Sequence, residues 1–145
     1  MVTSLKEQPL KRQPVYRNIH VTQLTSYRMP APAWVSILHR ISGVLMFLLL
    51  PFVIWMFDAS LSSEISYQQF TSLFAFGGMA IPAFLVKLVA LALIWGYLMH
   101  FIAGVRHVWM DATHEHSLAF GRASAMFAIG LSALLTVALG AKLFF

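Results

Sequence analysis

The sequence predicts an all-α integral membrane protein with three transmembrane helices. Of its 145 residues, 59% are hydrophobic and only 10% are charged, whereas a soluble domain usually carries about 25% charged residues. Three apolar stretches are each long enough to cross a hydrocarbon core about 30 Å thick. The length suits one compact unit. The absence of cysteine excludes disulfides and iron–sulfur ligation by this chain.

The chain divides into a polar tail, residues 1–33, and a membrane anchor domain, residues 34–145. Four prolines in the tail argue against a long helix there, and helical sequence begins near Trp34. The three predicted spans cover 35–57, 82–105 and 123–143. Pro51 predicts a kink within the first span. The connections between spans are polar and cover 58–72 and 106–122.

The third span carries a small residue at every helical turn. These residues are Ala128, Ser132, Thr136 and Gly140. Helices in lipid associate through close packing, which small residues permit. The pattern also arises by chance in alanine-rich helices, but an interhelical seam is the preferred interpretation.

The basic residues indicate orientation. Eight of the ten lysines and arginines lie in the tail, at the start of the first span or in the 106–122 connection. Cytoplasmic loops carry such an excess, so the amino terminus is expected in the cytoplasm. Nucleic acid is not an expected partner, because the tail has few aromatic residues and the body of the chain is apolar. The expected partner of the apolar surface is the lipid bilayer. No secretory or mitochondrial presequence is evident, which favours a bacterial inner membrane.

His100 is the strongest local signal, because it lies within otherwise apolar sequence of the second span. An ionisable residue at that depth indicates a function. Gly96 and Gly104 lie one turn on either side and leave the helix face bare, as a flat macrocycle requires, and histidine is a common haem iron ligand. The alternative is a histidine hydrogen-bonded to a neighbouring helix. A second ligand must come from elsewhere: His39 is conceivable but lies nearer the surface, so a partner subunit's histidine is preferred.

Ser36, His39 and Arg40 form a polar group at the start of the first span. Ser36 and Arg40 are one helical turn apart, with His39 beside them. Such side chains donate hydrogen bonds to a carbonyl and neutralise carboxylates, which suits a quinone headgroup and haem propionates, respectively. The alternative is an arginine that reaches the surface beside a capping serine.

Arg106, His107 and Asp111 lie at the same edge of the membrane. Asp111 follows His107 by one turn and is placed to fix its tautomer or charge, although an ordinary ion pair at the end of a helix explains the spacing equally well. The His114-Glu115-His116 segment is interpreted as a solvated connection.

Two motifs resemble those of the cytochrome b subunit of succinate dehydrogenase, a membrane anchor of respiratory complex II. They are Ser36-x-x-His39-Arg40-x-Ser42-Gly43 and His100-x-x-x-Gly104-Val105-Arg106-His107-x-x-x-Asp111. The resemblance extends from about Pro14 to the end. The family commonly has Arg-Pro in the tail, whereas Gln13 separates Arg12 from Pro14 here, which weakens the assignment of tail contacts with the iron–sulfur subunit.

The resemblance implies a subunit of succinate:quinone oxidoreductase that does not itself oxidise succinate. Its partners would be a flavoprotein subunit, an iron–sulfur subunit and a second anchor subunit that completes the helical bundle. One haem b would be shared with the second anchor, which would supply the other histidine. Ubiquinone would be the substrate, within electron transport and the tricarboxylic acid cycle.

The resemblance also assigns roles to individual residues. His100 would be the axial ligand to the haem iron. Ser36 and Arg40 would bind the quinone, while His39, Arg40 and His107 would face the haem propionates. The supporting residues would be Gly96, Gly104, Arg106 and Asp111. No residue of this chain is expected to be catalytic.

Two alternatives stay open. A fumarate reductase anchor has the same architecture but runs in the opposite direction with a low-potential quinone. A three-span scaffold or proton-handling membrane protein would bind no haem and would copurify with no soluble subunits.

Overall fold

The computed structural model describes residues 20–24, 27–77 and 81–145, and within these ranges the only regular secondary structure is helical. The helices are α1 (Val21–Leu24), α2 (Ala31–Leu48), α3 (Leu50–Leu61), α4 (Glu64–Ala75), α5 (Ala83–Thr113) and α6 (Leu118–Phe144). Helices α2, α5 and α6 are long and apolar enough to cross a membrane. The predicted all-α fold with three transmembrane helices is therefore confirmed. Expectations for the tail before His20 lie outside the described residues.

The first span is two helices rather than one. Helix α2 ends where Leu49 adopts φ −89° and ψ 0°, and α3 begins at the next residue with Pro51 in its first turn. Proline has no N–H to donate and its ring crowds the carbonyl four residues earlier, so the predicted kink at Pro51 is confirmed. Helix α2 starts at Ala31, before the predicted start at Trp34, because its prolines occupy positions where a helix tolerates them.

The predicted polar connection at 58–72 is mostly helical. Helix α3 continues to Leu61, and α4 begins directly after Ser63. The Ser63 hydroxyl accepts a hydrogen bond from the Ser66 backbone N–H at 3.1 Å, and the Ser66 hydroxyl accepts one from the Ser63 N–H at 3.0 Å. This reciprocal capping satisfies backbone donors that otherwise have no partner. The segment 58–72, predicted only as a polar connection, is thus formed mainly by the end of α3 and by α4.

The second connection is also shorter than predicted. Helix α5 continues to Thr113, two turns beyond the predicted end of its span, and only residues 114–117 separate it from α6. His114 ends α5 in the left-handed region at φ 56°. Glu115 is exposed, and hydrogen bonds donated by Ser117 lower the pKa of its carboxyl. Residues 106–113 therefore belong to α5, and the connection between α5 and α6 covers residues 114–117 rather than 106–122.

Helix α5 is central and packs against both α2 and α6. The buried centre comprises Val35, Met99, Ala103 and Ala125. The predicted seam on α6 is confirmed: Ala128, Ser132 and Gly140 are buried and Thr136 is half-buried. A Cβ at Gly140 would lie 2.9 Å from a methyl carbon of Leu91 on α5. Many large apolar side chains remain exposed, such as Phe47 and Phe127. That distribution suits a surface in contact with lipid.

Helices α2 and α5 run antiparallel. The space beside Gly96 on α5 is bounded by Leu45 and Met46 of α2, whereas the space beside Gly104 is bounded by His39. As residue numbers rise along α5, those of the facing residues on α2 fall. This register brings the two sequence motifs together.

Candidate functional site

Three histidines meet where α2 faces α5. The rings of His39 and His100 stack with their centroids 4.1 Å apart and their planes 13° from parallel. The ring of His107, two turns along α5, lies 5.3 Å from that of His39 at 59°. The His39 ring thus lies between those of His100 and His107, opposite Gly104 on α5, and its predicted position nearer the membrane surface than His100 stays a prediction.

The hydrogen bond of His100 fixes its tautomer. Its Nδ1 lies 3.0 Å from the backbone carbonyl oxygen of His39. A carbonyl oxygen only accepts hydrogen bonds, so Nδ1 carries the proton and donates it. In the neutral imidazole the other ring nitrogen, Nε2, then has the free lone pair through which histidine binds a metal.

Ser42 contributes to the same hydrogen-bonded group. Its side chain is fully buried, and its hydroxyl donates to the His39 carbonyl oxygen at 2.9 Å. The Ser42 Oγ also lies 3.5 Å from Nδ1 of His100, which is too long for a strong hydrogen bond. One carbonyl oxygen thus accepts hydrogen bonds from two side chains.

The glycines around this group differ in what they face. A Cβ at Gly43 would lie 3.0 Å from Cε1 and 3.2 Å from Nδ1 of His100, so Gly43 gives the imidazole its space. Gly104 faces Nε2 of His39 at 3.6 Å. Gly96 is buried against side chains of α2, at 3.4 Å, so it serves the contact between the two helices.

An apolar groove of about 430 Å³ runs along α5 beside His100. It is lined by His100, Phe101, Gly104, Val105, Val108, Trp109 and Ala112. The groove is open on one side and has almost no polar atoms on its walls. A flat apolar ligand, covered on its other side by another subunit, suits such a surface.

The remaining predicted residues lie along the same end of the bundle. Ser36 is half-buried and Arg40 exposed, both on α2. Arg106 turns away from the histidines: its Nε donates to the Ser124 hydroxyl at 2.9 Å and its Nη2 to a backbone carbonyl of α6 at 3.2 Å. Asp111 is exposed, and its predicted pairing with His107 stays a prediction.

The arrangement offers one metal ligand rather than a complete metal site. Metal–imidazole bonds are about 2 Å long, so two rings on opposite sides of one metal keep their centres about 6 Å apart. His39 and His100 are stacked too closely to bind one iron between them. Among the described residues no group of three or more histidine, cysteine or acidic side chains is placed to hold a metal ion.

Two residues of this site had no role in the sequence interpretation. Ser42 and Gly43 belong to the first motif, but only their position opposite His100 reveals what they do. The feature of the sequence that could have revealed this contact is Gly43, which follows His39 by one turn in a helix of mostly bulky apolar residues.

Comparison with known proteins identifies a family and a related protein. The family described as succinate dehydrogenase/fumarate reductase transmembrane subunit matches residues 11–139. The chain is also similar to the succinate dehydrogenase cytochrome b556 subunit of Coxiella burnetii, with 32% identity over 102 residues that cover 70% of this chain and 77% of that protein.

Proposed function

The chain belongs to the family of succinate dehydrogenase/fumarate reductase transmembrane subunits, as its two motifs predicted, and we propose that it is the haem b-binding anchor of a succinate dehydrogenase. In this proposal a flavoprotein subunit oxidises succinate, and an iron–sulfur subunit passes the electrons to ubiquinone. The present chain helps to form the quinone pocket and does not oxidise succinate itself.

The observation that carries the haem assignment is the tautomer of His100. Its Nδ1–H is held by a backbone carbonyl, which leaves Nε2 free as an axial ligand. An apolar groove adjoins the same residue, and the Coxiella relative is named a cytochrome b subunit. Bound haem supplies one-electron redox chemistry; the chain supplies the ligand, its orientation and a surface that excludes water.

The second axial ligand is proposed to come from a second anchor subunit. The close stacking of His39 on His100 supports this, since it is incompatible with both rings binding one iron. His39, Arg40 and His107 are assigned to the propionates: His39 and His107 lie beside His100, Arg40 follows His39 on α2 and is exposed, and all three carry donors suited to carboxylates. In this role His39 would pack against His100, the proposed iron ligand, and would donate a hydrogen bond to a propionate.

The quinone is assigned to Ser36 and Arg40. They are one turn apart near the start of α2, and Arg40 is exposed to a ligand or partner. In this role the Ser36 hydroxyl would donate a hydrogen bond to a quinone carbonyl, and the Arg40 guanidinium would stabilise negative charge as the quinone is reduced.

Gly96, Gly104, Arg106 and Asp111 are assigned supporting roles. Gly96 sets the approach of α2, Gly104 gives space beside His39, and Arg106 fixes α6. The proposed membrane is a bacterial cytoplasmic membrane with the amino terminus inside, as the distribution of basic residues indicates.

Removal of the proposed iron ligand tests the haem assignment. His100→Leu, assembled with its partner subunits, is expected to lose or strongly alter the low-spin haem spectrum of reduced membranes. His116→Leu, in the exposed connection after α5, is the matched control and should keep it. An unaltered spectrum in assembled His100→Leu complex, or a wild-type complex without haem, would contradict the proposal and favour a scaffold without haem.

The quinone assignment is tested by separating the two half-reactions. Ser36→Ala and Arg40→Leu are expected to lower ubiquinone reduction while succinate oxidation with an artificial acceptor persists. Arg122→Leu, exposed on α6, is the control for loss of a basic side chain. Normal ubiquinone reduction by both variants would exclude this pocket, and turnover only with a low-potential quinone would identify a fumarate reductase anchor instead.

A further inference from the structure

We propose that Ser42 is a positioning residue that sets how strongly His100 binds the haem iron. The proposal rests on the proposed function, since it takes His100 as the axial ligand. Its basis is the His39 carbonyl oxygen, which accepts hydrogen bonds from the Ser42 hydroxyl at 2.9 Å and from His100 Nδ1 at 3.0 Å.

A serine in a helix often donates to the carbonyl three residues earlier, and several serines here do so. Ser132 donates to Ile129 at 2.9 Å and Ser60 donates to Phe57 at 2.8 Å. Ser42 differs from both, because the carbonyl it uses is also the acceptor for a side chain on another helix. Ser124 on α6 likewise shares the Gly121 carbonyl with Arg106 of α5, but among the described serines only Ser42 shares its carbonyl with a histidine.

Two donors that share one oxygen weaken each other, because each withdraws electron density from the lone pairs that the other uses. The Ser42 hydroxyl thus limits the strength of the Nδ1–H bond of His100. A stronger bond at Nδ1 makes an imidazole more basic and a better electron donor to its metal, and electron donation stabilises ferric over ferrous iron. The hydroxyl is accordingly expected to keep the haem midpoint potential higher than it would otherwise be.

Burial makes this effect specific. Ser42 has no exposed surface, so water cannot replace its hydroxyl when it is removed. In such surroundings hydrogen bonds are electrostatically stronger than in water, and without the hydroxyl the carbonyl accepts from His100 Nδ1 with no competing side chain.

The test is a redox titration of haem in the assembled four-subunit complex. Ser42→Ala is expected to keep its haem, because His100 is intact, but to have a more negative midpoint potential and a shifted absorption band. Ser42→Cys, whose side chain is of similar size and is a weak donor, should have a midpoint potential between those of Ser42→Ala and wild type. Ser42→Thr restores the hydroxyl and should return towards the wild-type potential.

The matched control is Ser132→Ala. Ser132 is also buried and makes the same three-residue hydrogen bond. Its hydroxyl additionally lies 3.4 Å from the Met99 sulfur, but no histidine donates to its acceptor carbonyl. The haem midpoint potential of Ser132→Ala should equal that of wild type. An unchanged or more positive potential in Ser42→Ala, or an equal shift in Ser132→Ala, would overturn the inference.

These outcomes are distinct from failure of the proposed function. A wild-type complex without haem overturns both proposals. A wild-type complex with haem that disappears in His100→Leu, combined with no shift in Ser42→Ala, overturns only the role of Ser42. Should Ser42→Ala not assemble, Ser42→Cys must show the negative shift by itself, and its absence counts against the inference.

Discussion

Substitution of Gly43 tests the geometry of the histidine site most directly. A Cβ there would lie 3.0 Å from Cε1 and 3.2 Å from Nδ1 of His100, whereas ordinary carbon contacts are about 3.5–4.0 Å. Gly43→Ala therefore requires the imidazole to move by about half an ångström. The ring is held by its bond to a carbonyl and by its stack on His39, so it cannot move without loosening one of them.

The expected magnitude follows from two opposing effects. Overpacking costs about 1–3 kcal/mol, and the gain in helix propensity from glycine to alanine offsets about 1 kcal/mol of it. Gly43→Ala should thus lower the free energy of unfolding by about 0–2 kcal/mol and shift the haem absorption band. Gly43→Val adds two further methyl groups beside the ring and should abolish haem binding.

Gly130→Ala is the matched control, because nothing lies within 4 Å of the Cβ that it adds. It should raise stability by up to about 1 kcal/mol through helix propensity alone. The measurements are the Tm of the purified complex and its haem-to-protein absorbance ratio. Wild-type haem content and spectrum in Gly43→Val would refute the placement of Gly43 against His100.

Three further predictions concern stability. Arg106→Gln should lower the free energy of unfolding by about 1–3 kcal/mol, because hydrogen bonds from a charged donor to α6 are lost. The control Arg122→Gln, at an exposed position, should not change the Tm; an equal loss of stability in both variants would count against the hydrogen bonds of Arg106. Ser63→Ala should lower protection from hydrogen exchange in α4 by about 0.5–2 kcal/mol, whereas Ser60→Ala in α3 should leave α4 unchanged; normal protection in the first variant would contradict the capping assignment. Gly140→Leu should lower the free energy of unfolding by about 1–3 kcal/mol through overpacking against α5. An undiminished Tm would show that α5 and α6 are not closely packed at this position.

The spans were predictable because hydrophobicity and length decide them. The break at Pro51 and the small-residue seam ending at Gly140 were predictable because each depends on local residue types. Helix α4 was missed because its residues are mostly polar and exposed, so its start is marked only by the capping serines, Ser63 and Ser66. The end of α5 was placed too early because polarity marks the membrane surface, whereas a helix continues into water until a residue such as His114 ends it.

The identities of the main site residues were predictable from the sequence, but the register in which α2 faces α5 was not. His100 is conspicuous in an apolar helix, and Ser36 and Arg40 are conspicuous at the start of another. The contact between His100 and His39 joins residues 61 positions apart in the chain. It depends on which turn of α2 faces which turn of α5, and packing along both helices decides that.

The first motif has a physical reason that links its parts. In an α-helix the carbonyl of one residue points towards the N–H four residues later, so the His39 carbonyl lies beside Gly43. A side chain at Gly43 would lie 3.2 Å from Nδ1 of His100 and would bar the imidazole from that oxygen. Glycine therefore opens the helix backbone to a side chain from α5, while the neighbouring Ser42 hydroxyl shares the opened carbonyl. Glycine at position 43 thus gives the His100 Nδ1–H access to the carbonyl that fixes its proton, and the adjacent serine competes for the same oxygen and limits the strength of that bond.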